Sequence, residues 1–158
     1  MSEEQFEFFY GGPFSQWYPC RFKIGNVTYN CTEQYMMAQK ALFFADIDAH
    51  IKIMGTDSPS KQKSIGRTIK NFSIPAWNTV CRKVVYDGNL AKFSQDARLK
   101  EELLDTGDKE IVEASPYDTI WGIGLAEHDP KCLDKTQWRG LNWLGEALMK
   151  VREDLRKE

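Results

Sequence analysis

The sequence has no long apolar segment and few of the residues that bind metals. It contains two histidines and four cysteines, and no two cysteines have the C-x-x-C spacing, so we expect neither a zinc site nor a disulfide framework. No apolar run reaches membrane-spanning length, and the first residues, MSEEQFEFF, are acidic where a signal peptide would be basic. We therefore expect a cytoplasmic protein with free thiols, without membrane contact, metal or cofactor.

Common phosphate-binding and hydrolase motifs are also absent. Neither a Walker A loop nor G-x-G-x-x-G, G-x-S-x-G or H-E-x-x-H occurs, and the GIG tripeptide is too short to count as a phosphate loop. The formal net charge of −2 argues against non-specific binding along a nucleic-acid backbone. It leaves room for a local basic pocket that binds one or two phosphates.

The aromatic content is high for a domain of this size. The 158 residues are 42% hydrophobic and 28% charged, as in ordinary globular proteins, but 13% are aromatic. Core packing explains most of these rings, and tryptophans beside glycines and acids also suit stacking on a flat ligand. Length and composition predict a single domain over residues 1–158.

Periodicity predicts an α+β fold, a single compact and mostly helical domain with a small β-sheet. Strands are predicted at 6–9, in a hairpin that turns at Gly25-Asn26, and at 110–114 and 119–124. Helices are predicted from 30, 46 and 59, and from 75 to 105 with a break near Asp87-Gly88. The last helix shows an apolar stripe formed by Leu141, Leu144, Leu148, Val151 and Leu155.

The first predicted helix, which begins after Asn30, places an acid and a lysine on one face. Glu33 and Lys40 are seven residues apart, or about 10 Å along the axis, and mostly Met and Ala lie between them. Both pKa values would be perturbed if this face lined a pocket. Alternatively, Glu33 completes a capping box with Asn30 as N-cap, and the Lys40 ammonium extends to solvent.

A second group of candidate residues lies in and after the segment DTIWGIG. Asp118 and Trp121 stand beside Gly122 and Gly124, whose lack of a Cβ lets the backbone approach a ligand. A carboxylate beside a tryptophan in a dry cleft suits an oxocarbenium-like transition state, as in N-glycosidic bond cleavage. Alternatively, Asp118 caps a turn and Trp121 is a core residue. The group continues with Asp129, Trp138 and Asn142, the last near the start of the final helix, where it could also be a cap.

Two further residues are candidates for substrate contacts. Arg67, on the third predicted helix, could bind a phosphate or belong to a solvated face. Trp77 could stack on a base or anchor the core.

Three long segments resemble one known family. They are TYNCTEQYMMAQKALFFAD, LAKFSQDARLKEELLDTGDKEIVEASP, and DTIWGIGL followed by GLNWLGEALMKVR, and together they cover nearly the whole chain. The family is the YbiA-like, or NADAR, domain. The resemblance implies an α+β N-glycosidase that needs no metal. Its members cleave ribose–base bonds in phosphoribosylamino-pyrimidine intermediates of riboflavin synthesis, or remove ADP-ribose from guanine in nucleic acid.

The resemblance also implies roles for individual residues. By position, Glu33, Lys40 and Asp118 would be catalytic, with Lys40 forming a Schiff base to an opened ribose. The substrate contacts would be Ser15, Arg67, Trp77, Trp121, Asp129, Trp138 and Asn142. In the first loop Gln16 stands where many members have Asn after the serine. The alternative function is a non-catalytic module that binds ADP-ribose or another nucleotide and does not need Lys40.

Overall fold

The structure is a computed structural model that describes residues 5–158. Its strands are β1 (Phe6–Phe9), β2 (Phe22–Ile24), β3 (Val27–Tyr29) and β4 (Glu110–Glu113). Its helices are α1 (Thr32–Phe43), α2 (Ile47–Met54), α3 (Pro59–Gly66), α4 (Ile74–Asn78), α5 (Cys81–Gln95), α6 (Ala97–Leu104) and α7 (Trp143–Arg156). This content confirms the prediction of an α+β, mostly helical fold, although the four strands form two separate pairs.

The contacts group the chain into two units. The first consists of residues 5–15 with 96–158, and the second of residues 16–95. One domain over 1–158 therefore stays a prediction. All four cysteines are free thiols, and among residues 5–158 no helix has the length and apolarity needed to cross a bilayer.

In the first unit β1 and β4 pair in parallel, with Phe6 opposite Glu110 and Phe9 opposite Glu113. Helix α7 packs against β4 and against α6. The buried side chains of Phe6, Val112, Ile123 and Leu125 form a core cluster. This unit fixes the loop from Asp118 to Gly124.

In the second unit α1 is the central element. It packs against α2, α3 and α5, and the antiparallel β2–β3 hairpin turns at Gly25-Asn26 as predicted. Asp46 and Ser58 cap α2 and α3 through their side chains, which also agrees with the sequence prediction. Because α1 is surrounded, eight of its twelve residues are buried.

Four local predictions were wrong. The N-cap of α1 is Cys31, whose sulfur accepts the Gln34 N–H at 3.4 Å, so Asn30 and Glu33 form no capping box. Helix α5 is unbroken at Asp87-Gly88, and the helical segment is interrupted after Asn78 and at Asp96 instead. Residues 119–124 form bends and irregular backbone rather than a strand. Leu141 precedes α7 and is exposed, whereas the other four residues of its predicted stripe are buried.

Candidate active site

Helix α1 carries Glu33 in its first turn and Lys40 in its last turn, on the face that the sequence predicted. Glu33 is 4% exposed, and its Oε1 accepts the indole N–H of Trp17 at 3.0 Å. Its backbone N–H donates to the Gln16 carbonyl at 2.9 Å. The carboxylate is therefore held by the loop before β2 and does not serve a capping box.

The Lys40 amine is held between a carbonyl and an aromatic ring. Nζ donates to the Gly66 carbonyl at 2.9 Å and lies 4.3 Å from the centroid of the Phe72 ring. Burial lowers the pKa of Lys40 below its ordinary value, the Glu33 charge opposes this, and the Arg67 charge lowers the pKa further. Lys40 is thus partly desolvated and does not extend freely into water.

A close approach of α3 to α1 makes this arrangement possible. A Cβ at Gly66 would overlap the sulfur of Met37, which lies one turn before Lys40 on α1. With no side chain at 66, the last turn of α3 can lie against α1, and its carbonyl reaches the Lys40 amine. Gly66 is therefore a packing requirement of the lysine site.

Arg67 and Trp77 both belong to the second unit and are linked to Lys40 in different ways. Arg67 follows Gly66, is exposed, and is near enough for its charge to act on Lys40. Trp77 is buried, and its ring lies 6.2 Å from that of Phe43. Further ring contacts run from Phe43 to Phe44 at 5.0 Å and from Phe44 to Phe72 at 5.3 Å. An aromatic chain therefore connects Trp77 to the Lys40 site.

The segment DTIWGIG lies in the first unit and forms a capped turn. Asp118 Oδ1 accepts the N–H groups of Ile120 at 2.9 Å and Trp121 at 2.8 Å. The half-buried Trp121 ring makes an edge contact with Trp143 at 5.8 Å. Gly124 has φ 71°, a conformation that favours glycine. These bonds match the turn-cap interpretation of Asp118.

The remaining predicted substrate contacts also lie in the first unit. Asn142 is 2% exposed, and its side chain donates to the Ile111 carbonyl and accepts the Glu113 N–H, each at 3.0 Å. It therefore fixes β4 to the start of α7. Asp129 caps a short 3-10 turn through Lys131 N–H.

Trp138 and Ser15 complete the predicted set. Trp138 donates its indole N–H to the Cys132 carbonyl at 2.9 Å and packs 5.9 Å from the Phe6 ring. Asp129 lines a cavity of about 430 Å³ together with Phe6, Phe8 and His128. Ser15, in the loop between β1 and β2, is half-buried and donates its N–H to the Gly12 carbonyl at 3.0 Å.

Three residues of the site, Trp17, Gly66 and Phe72, have no local sequence signal that marks them as site residues. Trp17 and Phe72 contact Glu33 and Lys40 from segments distant in sequence. Spacing within α1 carries no information on either contact. Among residues 5–158 there is also no group of three or more His, Cys, Asp or Glu side chains that could hold a metal ion.

Comparison with known proteins decides the family. The sequence profile of the NADAR domain matches residues 8–156. The chain belongs to the NADAR domain family. It is 42% identical to the N-glycosidase R617 of Acanthamoeba polyphaga mimivirus, over 98% of each chain. It is 29% identical to the riboflavin biosynthesis protein VVA0006 of Vibrio vulnificus, over 92% of this chain and 36% of that one.

A solved structure agrees with this assignment. The NMR structure of Escherichia coli YbiA superposes with a TM-score of 0.80 at 28% identity, over 99% of this chain and 88% of that one. The NADAR resemblance and the fold class are therefore confirmed. The relatives also confirm the prediction of an enzyme, an N-glycosidase, over the alternative of a non-catalytic nucleotide-binding module.

Proposed function

We propose that this NADAR domain hydrolyses the bond between ribose C1 and an amino nitrogen of a base, with Lys40 as nucleophile. The observation that carries the proposal is the Lys40 amine, held by the Gly66 carbonyl and the Phe72 ring in a partly buried position. Its pKa is lowered by this burial, so more of it is the neutral amine at a given pH than for an exposed lysine.

The proposed reaction passes through a Schiff base. The C1–O4 bond of the ribose breaks, O4 takes up the proton that the base N–H loses, and C1 becomes doubly bonded to the base nitrogen. The Lys40 amine adds to C1, the base departs as a free amine with a proton, and C1 becomes doubly bonded to Nζ. Water then adds to C1 and Lys40 leaves as an amine, so one water is consumed for each C–N bond broken.

Glu33 is the proposed proton-transfer group. Its buried carboxylate lies on the helix of Lys40 and acts on the pKa of that amine. It would supply the proton to the departing base and accept one from the attacking water. For Asp118 we propose a structural role, because its Oδ1 is engaged by two backbone N–H groups that shape the loop.

A pair of amide substitutions separates these roles. Asn at 118 retains an Oδ1 that accepts the same two N–H bonds, so Asp118→Asn should keep most of the activity. Gln at 33 cannot transfer the proton, so Glu33→Gln should lose about 100-fold or more in kcat. If Asp118→Asn is the inactive variant and Glu33→Gln the active one, the assignment is reversed.

The proposed substrate carries a phosphorylated ribose. A phosphoribosylamino-pyrimidine of riboflavin synthesis is the first candidate, supported by the name of the Vibrio vulnificus relative. An ADP-ribosylated guanine in DNA or RNA is the second. The exposed guanidinium of Arg67, close to Lys40, suits a phosphate of either substrate.

The test is hydrolysis of both substrates by the purified protein. Release of ribose 5-phosphate from the first, or of ADP-ribose from the second, is the expected result, and Lys40→Arg should abolish it. Release from neither would contradict the proposal. Borohydride added during turnover should fix the sugar mass on the Lys40 peptide, and good turnover without such labelling would exclude the Schiff base.

A further inference from the structure

The segment Gln16–Trp17 holds Glu33 at its backbone and at its carboxylate. The Gln16 carbonyl accepts the Glu33 N–H at 2.9 Å and the Thr32 hydroxyl at 3.2 Å. The Trp17 indole donates to Glu33 Oε1 at 3.0 Å. The direction of the carboxylate therefore depends on where this segment lies.

The Gln16 side chain ties the segment to helix α5. Asn89 Nδ2, on α5, donates to Gln16 Oε1 at 2.9 Å and to the Val85 carbonyl one turn earlier, also at 2.9 Å. Gln16 is buried, and Asn89 is 0% exposed. Because the second bond fixes the Asn89 amide to its own helix, the first bond sets the position of Gln16.

The Asn89 amide carries a cost that an apolar residue would avoid. Within residues 5–158 its Oδ1 is buried and accepts no hydrogen bond. A buried carbonyl oxygen without a donor is unfavourable, so Asn is a poor choice for packing alone. What the amide contributes is the N–H group that binds Gln16.

We infer that Asn89 is a positioning residue for Glu33 and acts through Gln16. The inference rests on the proposed function, in which Glu33 transfers the proton. The Gln16 side chain reaches Asn89 on α5 through its amide oxygen, while its backbone carbonyl accepts the Glu33 N–H.

The first test is Asn89→Leu, with Gln95→Leu as matched control. Gln95 is also an α5 amide that anchors a distant segment, since it binds the N–H and carbonyl of Lys23 at 2.8 and 2.7 Å. Asn89→Leu should lower kcat about 10- to 100-fold, with KM within about twofold of wild type, because a misplaced catalytic group loses rate. Glu33→Gln should remove one limb of the kcat pH profile, and Asn89→Leu should shift the same limb along the pH axis. The control should leave kcat and that limb unchanged.

The second test exchanges the lengths of the two side chains. Gln16→Asn alone shortens the link and should lower kcat as Asn89→Leu does. The double variant Gln16→Asn/Asn89→Gln restores the summed length and should recover at least half of the lost log kcat. If the kcat of the double variant is no higher than that of Gln16→Asn, the inference is overturned. This test remains decisive even if Asn89→Leu fails to fold.

Hydrogen exchange gives a readout that does not need a substrate. Glu33 lies in the first turn of α1, where backbone N–H groups have no partner within the helix, so its protection reports the bond to Gln16. Asn89→Leu should speed exchange of this amide at least about tenfold, and Gln95→Leu should not. An unchanged Glu33 exchange rate overturns the inference. Absence of turnover in the wild type would contradict only the proposed function.

Discussion

The Phe72 ring should control how much of Lys40 is the neutral, nucleophilic amine. A ring face 4.3 Å from Nζ stabilises the ammonium form and not the amine. Phe72 is 40% exposed, so the value for exposed cation–π pairs applies, about 0.5–1 kcal/mol. Removing it by Phe72→Leu should therefore lower the pKa of Lys40 and raise its ratio of amine to ammonium about two- to fivefold at a given pH.

The assay is competitive acetylation of the protein across a pH series, with the Lys40 peptide measured by mass spectrometry. The midpoint of the curve is the readout, because the plateau also reports how easily the reagent reaches the amine. The midpoint should move to lower pH in Phe72→Leu. In Phe72→Trp, which strengthens the interaction, it should move to higher pH.

Phe44→Leu is the matched control for this experiment. The Phe44 ring contacts Phe72 at 5.3 Å, and the ring under the Lys40 amine is that of Phe72. Its Lys40 midpoint should equal that of the wild type. A Phe72→Leu midpoint that stays in place or rises would refute the reasoning, because burial alone would then account for the state of Lys40.

Three further predictions concern stability. Burial lowers the pKa of Lys92 to about 8 from an ordinary 10.5. Between these pH values the unfolded chain binds one proton more than the folded chain, so the free energy of unfolding should increase as the pH rises through this range. Urea titrations of Lys92→Met should show no such increase. Gly122→Ala places a Cβ 2.8 Å from Glu113 Oε2 and 3.0 Å from a backbone carbonyl oxygen, which should cost about 1–3 kcal/mol in the same titration. Arg152→Met removes the buried donor to Thr106 Oγ1 and the Lys109 carbonyl and should cost about 1–3 kcal/mol.

The Arg152 and Gly122 predictions each have a control variant within the chain. Arg156→Met removes an exposed ion pair and should cost less than about 1 kcal/mol. Gly55→Ala meets its closest non-neighbouring atom at 3.3 Å and should stay within about 0.5 kcal/mol of wild type. Equal losses in a variant and its control would contradict the assigned contact, and a pH-dependent rise that persists in Lys92→Met would exclude Lys92 as its source.

Helices were predictable where a local signal sets their ends. Ser58 before Pro59 and the side chain of Asp46 define the starts of α3 and α2. At α1 the same kind of signal predicted Asn30 as the N-cap, but the N-cap is the next residue, Cys31. Gln34 Oε1 then accepts the Asn30 N–H at 2.8 Å, in the manner of a capping box shifted by one position.

Contacts distant in sequence explain the errors. The pair Asp87-Gly88 has the composition of a turn, yet α5 continues through it. A Cβ at Gly88 would lie 2.8 Å from the Tyr35 ring on α1, so the glycine serves the packing of α5 against α1. The segment 119–124 has the composition of a strand, but its carbonyls accept N–H groups from residues 139–144 in a loop arrangement. Arg152 lies outside the apolar stripe of α7, yet it is buried and donates to the Thr106 hydroxyl.

The role of Lys40 could not be decided from α1 alone, for a related reason. Helical spacing fixes the face that Glu33 and Lys40 share, and this is why the prediction succeeded to that point. Whether the amine is buried depends on Gly66, which is 26 residues away and accepts its hydrogen bond. A larger residue there would overlap Met37 unless α3 moved, and the carbonyl that accepts the Lys40 hydrogen bond would move with α3. The burial of the Lys40 amine thus depends on a glycine on another helix. A search for sites in sequences of this family should therefore consider glycines at helix contacts together with titratable residues.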